Sequence, residues 1–300
     1  MPARCSLTLK LPPGFRPHDI LSFHGRDSQQ LAERVGDASL EKGMLWCKAP
    51  AKLSLRFTPG QVQADMHTDA SLHEEDPQPF AAMVSRMLGL HQPIEGFEQR
   101  HAAHPQLGRL IARNRGLRVA LAATPFEALT WAITGQQISV NAAVALRRKL
   151  IQTTQLRHSS GLLCYPNAQH VAALPQEALR QAGFSATKTR TLQAVSRLVV
   201  DGALPLEAWA QDFPGADLVR DRLLAVRGIG PWTVNYALLR GHGWLDGSLH
   251  GDAAVRRGLQ TLLGSSERID EKRAEHWLAP FSPWRALVGA HLWAMQSSVA

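Results

Sequence analysis

The stretch "LHGDAAVRRGL" places one carboxylate, Asp252, at the start of an amphipathic segment. Twenty positions earlier stands Trp232, directly behind the turn "VRGIGPW". A fixed carboxylate can stabilise a sugar carbon that turns positive as its bond to a leaving group breaks, and can orient or deprotonate the attacking water. Asp also caps helices, so Asp252 opening "AAVRRGLQTLLG" has a purely structural reading. Both readings are compatible, because a cap fixes its own carboxylate in space. Asp246 and Asp270 are competing carboxylates nearby in sequence.

The turn carries its own chemistry. Gly228, Gly230 and Pro231 sit between two segments of helical period, "DLVRDRLLAV" and "PWTVNYALLRG". No strand precedes the glycines and no Gly-Lys-Ser/Thr follows them, which excludes dinucleotide and NTPase loops. A tight helix–helix turn remains, with glycines for special backbone angles and Pro231 at a first helical position. Its free N–H groups, beside a helix N-terminus, suit a DNA phosphate and read no sequence. An ordinary tight connection would use the same residues.

Two regions position these groups. Residues 1–98 contain alternating segments at 6–11, 44–49, 52–57 and 61–67, with "TPG" at 58–60 as a hairpin turn. Helices are expected at 18–26 and 79–90, and a solvated acidic connection at 73–79. Beyond residue 98 the pattern is all-helical. Thr124-Pro125-Phe126-Glu127 reads as a capping box opening a helix with Leu129 and Ile133 on one face. "GQQIS" (135–139) breaks the chain before the next helix. The fold class is α+β: an antiparallel sheet with helices, then a helical region over 99–300.

Charge follows the same division. Residues 1–98 hold 10 Lys/Arg against 12 Asp/Glu, and residues 99–300 hold 23 against 13. A basic second region points to a polyanionic partner there, although a basic solvated surface has the same composition. No apolar run is long enough for a membrane span, and no secretory signal opens the chain. Three scattered cysteines (Cys5, Cys47, Cys164) make neither a disulfide framework nor a metal cluster. The expectation is a cytoplasmic protein.

In combination, "LLAVRGIGPWTVNYALLRG", "GD" at 251–252, "LGRL" (107–110), "GLR" (116–118), "WAITGQQIS" (131–139) and "PWRALVGAHLW" (283–293) resemble the helix–hairpin–helix (HhH-GPD) DNA glycosylases. The branch they resemble is the bacterial 3-methyladenine DNA glycosylase II (AlkA) type. The resemblance implies a two-lobed helical region, with the hairpin near 217–240 and a catalytic loop near 241–252. It implies Asp252 as the catalytic carboxylate and Trp232, Tyr236 and Trp293 around the pocket of an extruded alkylated base. Each aromatic also has a core-packing reading, which Trp131, Trp277 and Trp284 take.

The resemblance places Gln136, Gln137, Arg227, Gly228, Ile229, Gly230 and Arg256 at the DNA, with Arg257 and Lys188 as further phosphate contacts. Gln137 stands where better-known members carry a leucine wedge. A structural Na⁺ or K⁺ on the carbonyls of Leu224, Val226 and Gly228 is implied, and no cofactor is required for catalysis. Strand-cutting members carry a lysine where Trp232 stands, and no lysine occurs between Lys188 and Lys272. The expected activity is therefore hydrolysis alone, on alkylated double-stranded DNA, by a monomer associated with the bacterial nucleoid. The alternatives are a glycosylase for oxidised purines or uracil, and a non-catalytic DNA-binding protein that uses the hairpin.

Overall fold

The computed structural model describes residues 3–70 and 78–297. Five strands form one antiparallel sheet, β1 (Ala3–Lys10), β2 (Glu33–Gly36), β3 (Ser39–Trp46), β4 (Ala49–Thr58) and β5 (Gln61–Thr68), in the order β1-β5-β4-β3-β2. Helices α1 (Pro17–His24) and α2 (Gln78–Met87) cover one face, burying Ile20, Leu53, Leu55, Met66 and Phe80. The acidic connection expected at 73–79 lies, up to residue 77, outside the described residues.

The alternation predicts this sheet only in part. The segment expected as one strand at 44–49 is the end of β3, a turn and the start of β4. Cys47 and Lys48 both take left-handed backbone angles there (φ 50° and 65°), and Trp46 pairs with Ala49. A two-residue turn with two positive φ values matches the twist of a hairpin. β2 and the first half of β3 carry Glu33 and Lys42 inward, so the apolar alternation that marks a strand is broken where these charges are buried.

The helical region comprises α3 (Ile94–His101), α4 (Leu107–Arg113), α5 (Pro125–Gly135), α6 (Val140–Thr154), α7 (Ala168–Ala173), α8 (Gln176–Gln181), α9 (Ala186–Val200), α10 (Leu206–Gln211), α11 (Ala216–Leu224), α12 (Pro231–Ala237), α13 (Ala253–Leu263), α14 (Glu271–Leu278) and α15 (Arg285–Ser297). A π-helical turn, Leu238–His242, continues α12. The expected boundary at 98/99 cuts through α3, whose Ile94 and Phe97 pack with the helices, so the sheet unit ends before it. The second region is also not purely helical. Residues 156–165 double back through a turn closed by the Arg157–Leu163 bridge, and Leu163 and Tyr165 donate their N–H groups to Leu31 O and Gly43 O beside the sheet.

Two apolar cores make two lobes. One gathers α5–α11 around Leu129, Ile133, Leu192 and Val219; the other gathers α3, α4 and α13–α15 around Phe97, Leu107, Val255 and Leu292. Helix α12 serves both: Val234 and Ala237 enter the first core, Tyr236 and Leu239 the second. Whatever α12 presents at its exposed end therefore stands where the lobes meet.

A buried ionic cluster fastens the sheet to the helices. Lys42 Nζ donates to Glu33 (2.6 Å) and Glu127 (2.7 Å), and Arg147 donates to both oxygens of Glu33 at 2.8 Å and to Glu127 at 2.8 Å. Burial alone would raise the Glu33 carboxyl; Arg147 and Lys42 outweigh it and hold it well below the ordinary carboxylate range. The expected capping box is accordingly half present. Thr124 Oγ1 accepts from Glu127 N (3.1 Å), but the Glu127 side chain turns inward to the cluster.

Candidate active site

Asp252 is the N-cap of α13, and its carboxylate is held from two directions. Oδ1 accepts from the backbone amides of Ala254 (2.9 Å) and Val255 (3.0 Å) and from Trp293 Nε1 (3.1 Å). Oδ2 accepts from Trp232 Nε1 (3.0 Å). The cap thus clamps a partly exposed carboxylate between two indoles, an arrangement compatible with both readings of this residue. Local sequence explains the placement. Leu249 O accepts from Asp252 N, and Asn235 on α12 ties the loop by donating to Ser248 O (2.8 Å). The competing carboxylates have other duties. Asp246 receives Arg285 through two nitrogens (2.8 and 2.9 Å), and Asp270 caps α14.

The three aromatics expected at a pocket come together. Trp232 and Tyr236 rings lie 5.3 Å apart and Tyr236 and Trp293 rings 6.0 Å apart, each pair tilted. Trp131 packs against the second core as expected, and it has a polar duty as well. It is half-buried, and its Nε1 donates to Tyr236 Oη (2.8 Å), fixing that ring. Trp277 and Trp284 pack with Phe281 and Phe97, as expected of core aromatics.

The hairpin has the expected turn between α11 and α12. Gly228 takes φ +94°, and a Cβ there would stand 2.1 Å from Thr191 Oγ1, so neither the angle nor the space admits a side chain. Among the described residues, the amides of Gly228, Gly230 and Trp232 have no intramolecular partner, and Arg227 is exposed beside them. Ile229 differs from a DNA contact: its side chain is buried in the first core and its N–H donates to Val226 O (3.1 Å). Of the three carbonyls expected to hold a cation, Gly228 O accepts from Gln136 and Val226 O from Ile229, each with one donor. A carbonyl oxygen has two acceptor directions, so the donor set fits a hard monovalent cation.

Gln136 donates to both Gly228 O and Thr233 Oγ1 at 2.9 Å, binding the 136–139 loop to the hairpin. Gln137 stands at the loop tip, exposed and left-handed (φ 57°), with Ile138 and Val140 exposed beside it. Lys188 is not a free phosphate contact: it is buried and donates to Thr134 O (2.7 Å). Arg256 leans toward Glu271 (3.9 Å), whereas Arg257 is exposed.

Sequence reading missed Arg240. This buried residue, in the π-helical turn, packs its guanidinium 5.2 Å from the Trp293 ring and 4.3 Å from Phe23 of α1. Burial lowers it to about 10. The available signal was its spacing, two helical turns after Trp232 on the same face.

The model of the HhH-GPD superfamily of base excision DNA repair proteins matches residues 130–283, which include the hairpin and Asp252. The chain belongs to that superfamily. It is 30% identical over 190 residues to DNA-3-methyladenine glycosylase 2 of Escherichia coli (strain K12), covering 62% of this chain and 63% of that protein. It is 24% identical over 214 residues to DNA-3-methyladenine glycosylase of Bacillus subtilis (strain 168), covering 70% of each. The matched part thus spans less than two thirds of the Escherichia coli relative. The fold of the Archaeoglobus fulgidus 3-methyladenine DNA-glycosylase is similar over 98% of this chain and 99% of that one (TM-score 0.83, 18% identity).

Proposed function

We propose that this HhH-GPD protein is a monofunctional DNA glycosylase that extrudes alkylated bases, of the 3-methyladenine and 7-methylguanine type, and hydrolyses their bond to deoxyribose. The observation that carries the reading is the Asp252 carboxylate, gripped by Trp232, Trp293 and the start of α13 beside a cluster of aromatic rings. As the glycosidic bond breaks, its electron pair leaves with the base and the sugar carbon becomes cationic. Asp252 stabilises that charge and orients water toward it. A base alkylated on nitrogen is already cationic, so it leaves as a neutral molecule and needs no proton donor. An electron-poor ring of this kind stacks well on indole and phenol faces.

DNA would be gripped through the free amides of the Gly228–Trp232 turn and through Arg227 and Arg257, with Gln137 filling the space of the extruded nucleotide. A Na⁺ or K⁺ on the carbonyls of Leu224, Val226 and Gly228 would brace the turn, and chemistry needs no other cofactor. The protein would act as a monomer on the genome in the bacterial cytoplasm. Among the described residues no helix is long and apolar enough to cross a membrane.

The test is base release from methylated duplex DNA under single turnover. Wild-type protein is expected to release 3-methyladenine and 7-methylguanine and leave an uncut abasic site. Asp252→Asn is expected to keep DNA binding and lose at least a hundredfold in release. Near-normal release by that variant would refute the mechanism, and a borohydride-trapped covalent complex would refute hydrolysis as the sole activity.

A further inference from the structure

The 136–139 loop carries Gln137 at its tip, yet little apolar packing holds it in place. Ile138 and Val140 are exposed, and the loop overhangs a groove of about 490 Å³ lined by Ala142, Leu146, Lys149 and Lys188. Its attachments are polar. Gln136 ties it to the hairpin through Gly228 O and Thr233 Oγ1. Lys188 of α9 ties it from below, because its Nζ donates to Thr134 O (2.7 Å) at the end of α5. Thr134 O would ordinarily accept from the amide of Ile138, but that amide turns back to Gly135 O (3.4 Å). A cation suits such an orphaned carbonyl at a helix C-terminus.

The bond is costly to make. Lys188 is buried, burial lowers its ammonium, and among the described residues no carboxylate pairs with it. A methionine would fill similar space without desolvating a charge, so the lysine serves its bond rather than the packing. One turn along the same face of α9, Thr191 donates to Arg227 O (3.1 Å) in the hairpin. Helix α9 therefore holds both elements expected at the DNA, and Gln136 closes the ring between them. None of the groups that bond Asp252 belongs to this ring.

We propose that Lys188 is a positioning residue for base extrusion: by fastening the end of α5 to α9, it fixes the Gln137 tip where it must enter the DNA stack. The inference rests on the glycosylase reading. Opening a stacked pair costs energy, and a tip that pushes into the stack transmits force only from a rigid base. The observed release rate is the extruded fraction multiplied by the rate of bond cleavage. Lys188 acts on the first factor, and Asp252 acts on the second.

The experiment measures the two factors separately, at saturating protein, with and without Lys188→Met. Extrusion is read on a duplex holding 7-methylguanine beside 2-aminopurine, whose fluorescence rises when its neighbour leaves the stack. An Asp252→Asn background keeps the base attached during that reading. Release is read by single turnover with Asp252 intact. Expected is a fall of at least fivefold in the fluorescence change, with release falling by the same factor. A fall in release with undiminished fluorescence would place Lys188 outside extrusion and overturn the proposal. So would a variant unchanged in both readings, or a protein with native Lys188 that gives no fluorescence change. If Lys188→Met does not fold, Lys188→Gln, too short to reach Thr134 O, is judged by the same outcomes. A protein with native Lys188 that extrudes the base but releases none refutes the glycosylase reading, and the fluorescence comparison still judges Lys188.

Discussion

Asp252 combines two roles that compete in most sequences. As an N-cap it satisfies two amides of α13; as a partner of two indoles it is held between α12 and α15. The indole bonds also orient the rings that would stack on the base, so each tryptophan has a polar and an apolar duty. Trp232→Phe keeps most of the stacking surface and removes the only hydrogen bond found on Oδ2 among the described residues. A hydrogen bond to a charged group is worth about 1.5–3 kcal/mol. The expected outcome is a kcat lower by roughly 10- to 100-fold with DNA affinity little changed, read by single-turnover release and a binding titration. A large loss of affinity with unchanged kcat would assign Trp232 to binding alone.

At the scale of elements, the hairpin depends on one residue having no side chain. Gly228 combines a left-handed backbone with contact against α9, where Thr191 Oγ1 donates to Arg227 O (3.1 Å). Gly228→Ala adds backbone strain of about 1–3 kcal/mol and pushes the turn off α9. It is expected to lower the denaturant midpoint and weaken duplex affinity at least tenfold. If the turn also holds a monovalent cation, wild-type affinity falls when K⁺ is replaced by tetramethylammonium at equal ionic strength, and the variant's affinity does not. Unchanged wild-type affinity would remove the cation from the turn. The loop before α6 has the opposite arrangement. Gln137 accepts a left-handed backbone without being glycine, which suits a side chain needed at that tip rather than a conformation chosen for ease.

For the whole molecule, the Lys42–Glu33–Glu127–Arg147 cluster joins the sheet to the helical lobes, close to a cavity beside Arg240. Removing one member leaves an uncompensated buried charge, so Lys42→Met is expected to cost about 3–5 kcal/mol in denaturant unfolding. The pH dependence has a definite sign. His24 is lowered by burial, and burial holds His291 at about 3. Unfolded histidines bind protons from about pH 6.5 downward and these two only at lower pH, so stability falls as pH drops from there, by up to about 1.4 kcal/mol per pH unit per histidine. Glu33 and Glu127 are held below their ordinary range, and their contribution is lost as pH falls further, from about 4.3 downward. Urea midpoints from pH 7.5 to 5 should therefore decline before the Glu33 and Glu127 contribution is lost, and a flat profile would contradict the buried neutral histidines.

The sequence by itself determined the features that depend on local chemistry. A tight turn requires glycine and proline, and a cap requires a short acceptor such as Asp252. Spacing along α12 was also enough to put Trp232 and Tyr236 on one face. Only the tertiary structure decided which side chains face a cleft and which are used internally. Lys188 and Ile229 stand in the expected segments, yet one is spent on Thr134 O and the other on the first core. Glu127 leaves its capping box for Lys42, 85 residues away, and for Arg147, and β2 and β3 hide their alternation because charged residues are buried in that same cluster. Spacing puts Arg240 on the face of Trp232 and Tyr236, but nothing local marks it as buried. Its burial against Phe23 and Trp293 brings together three distant segments, and no local pattern encodes a contact of that range.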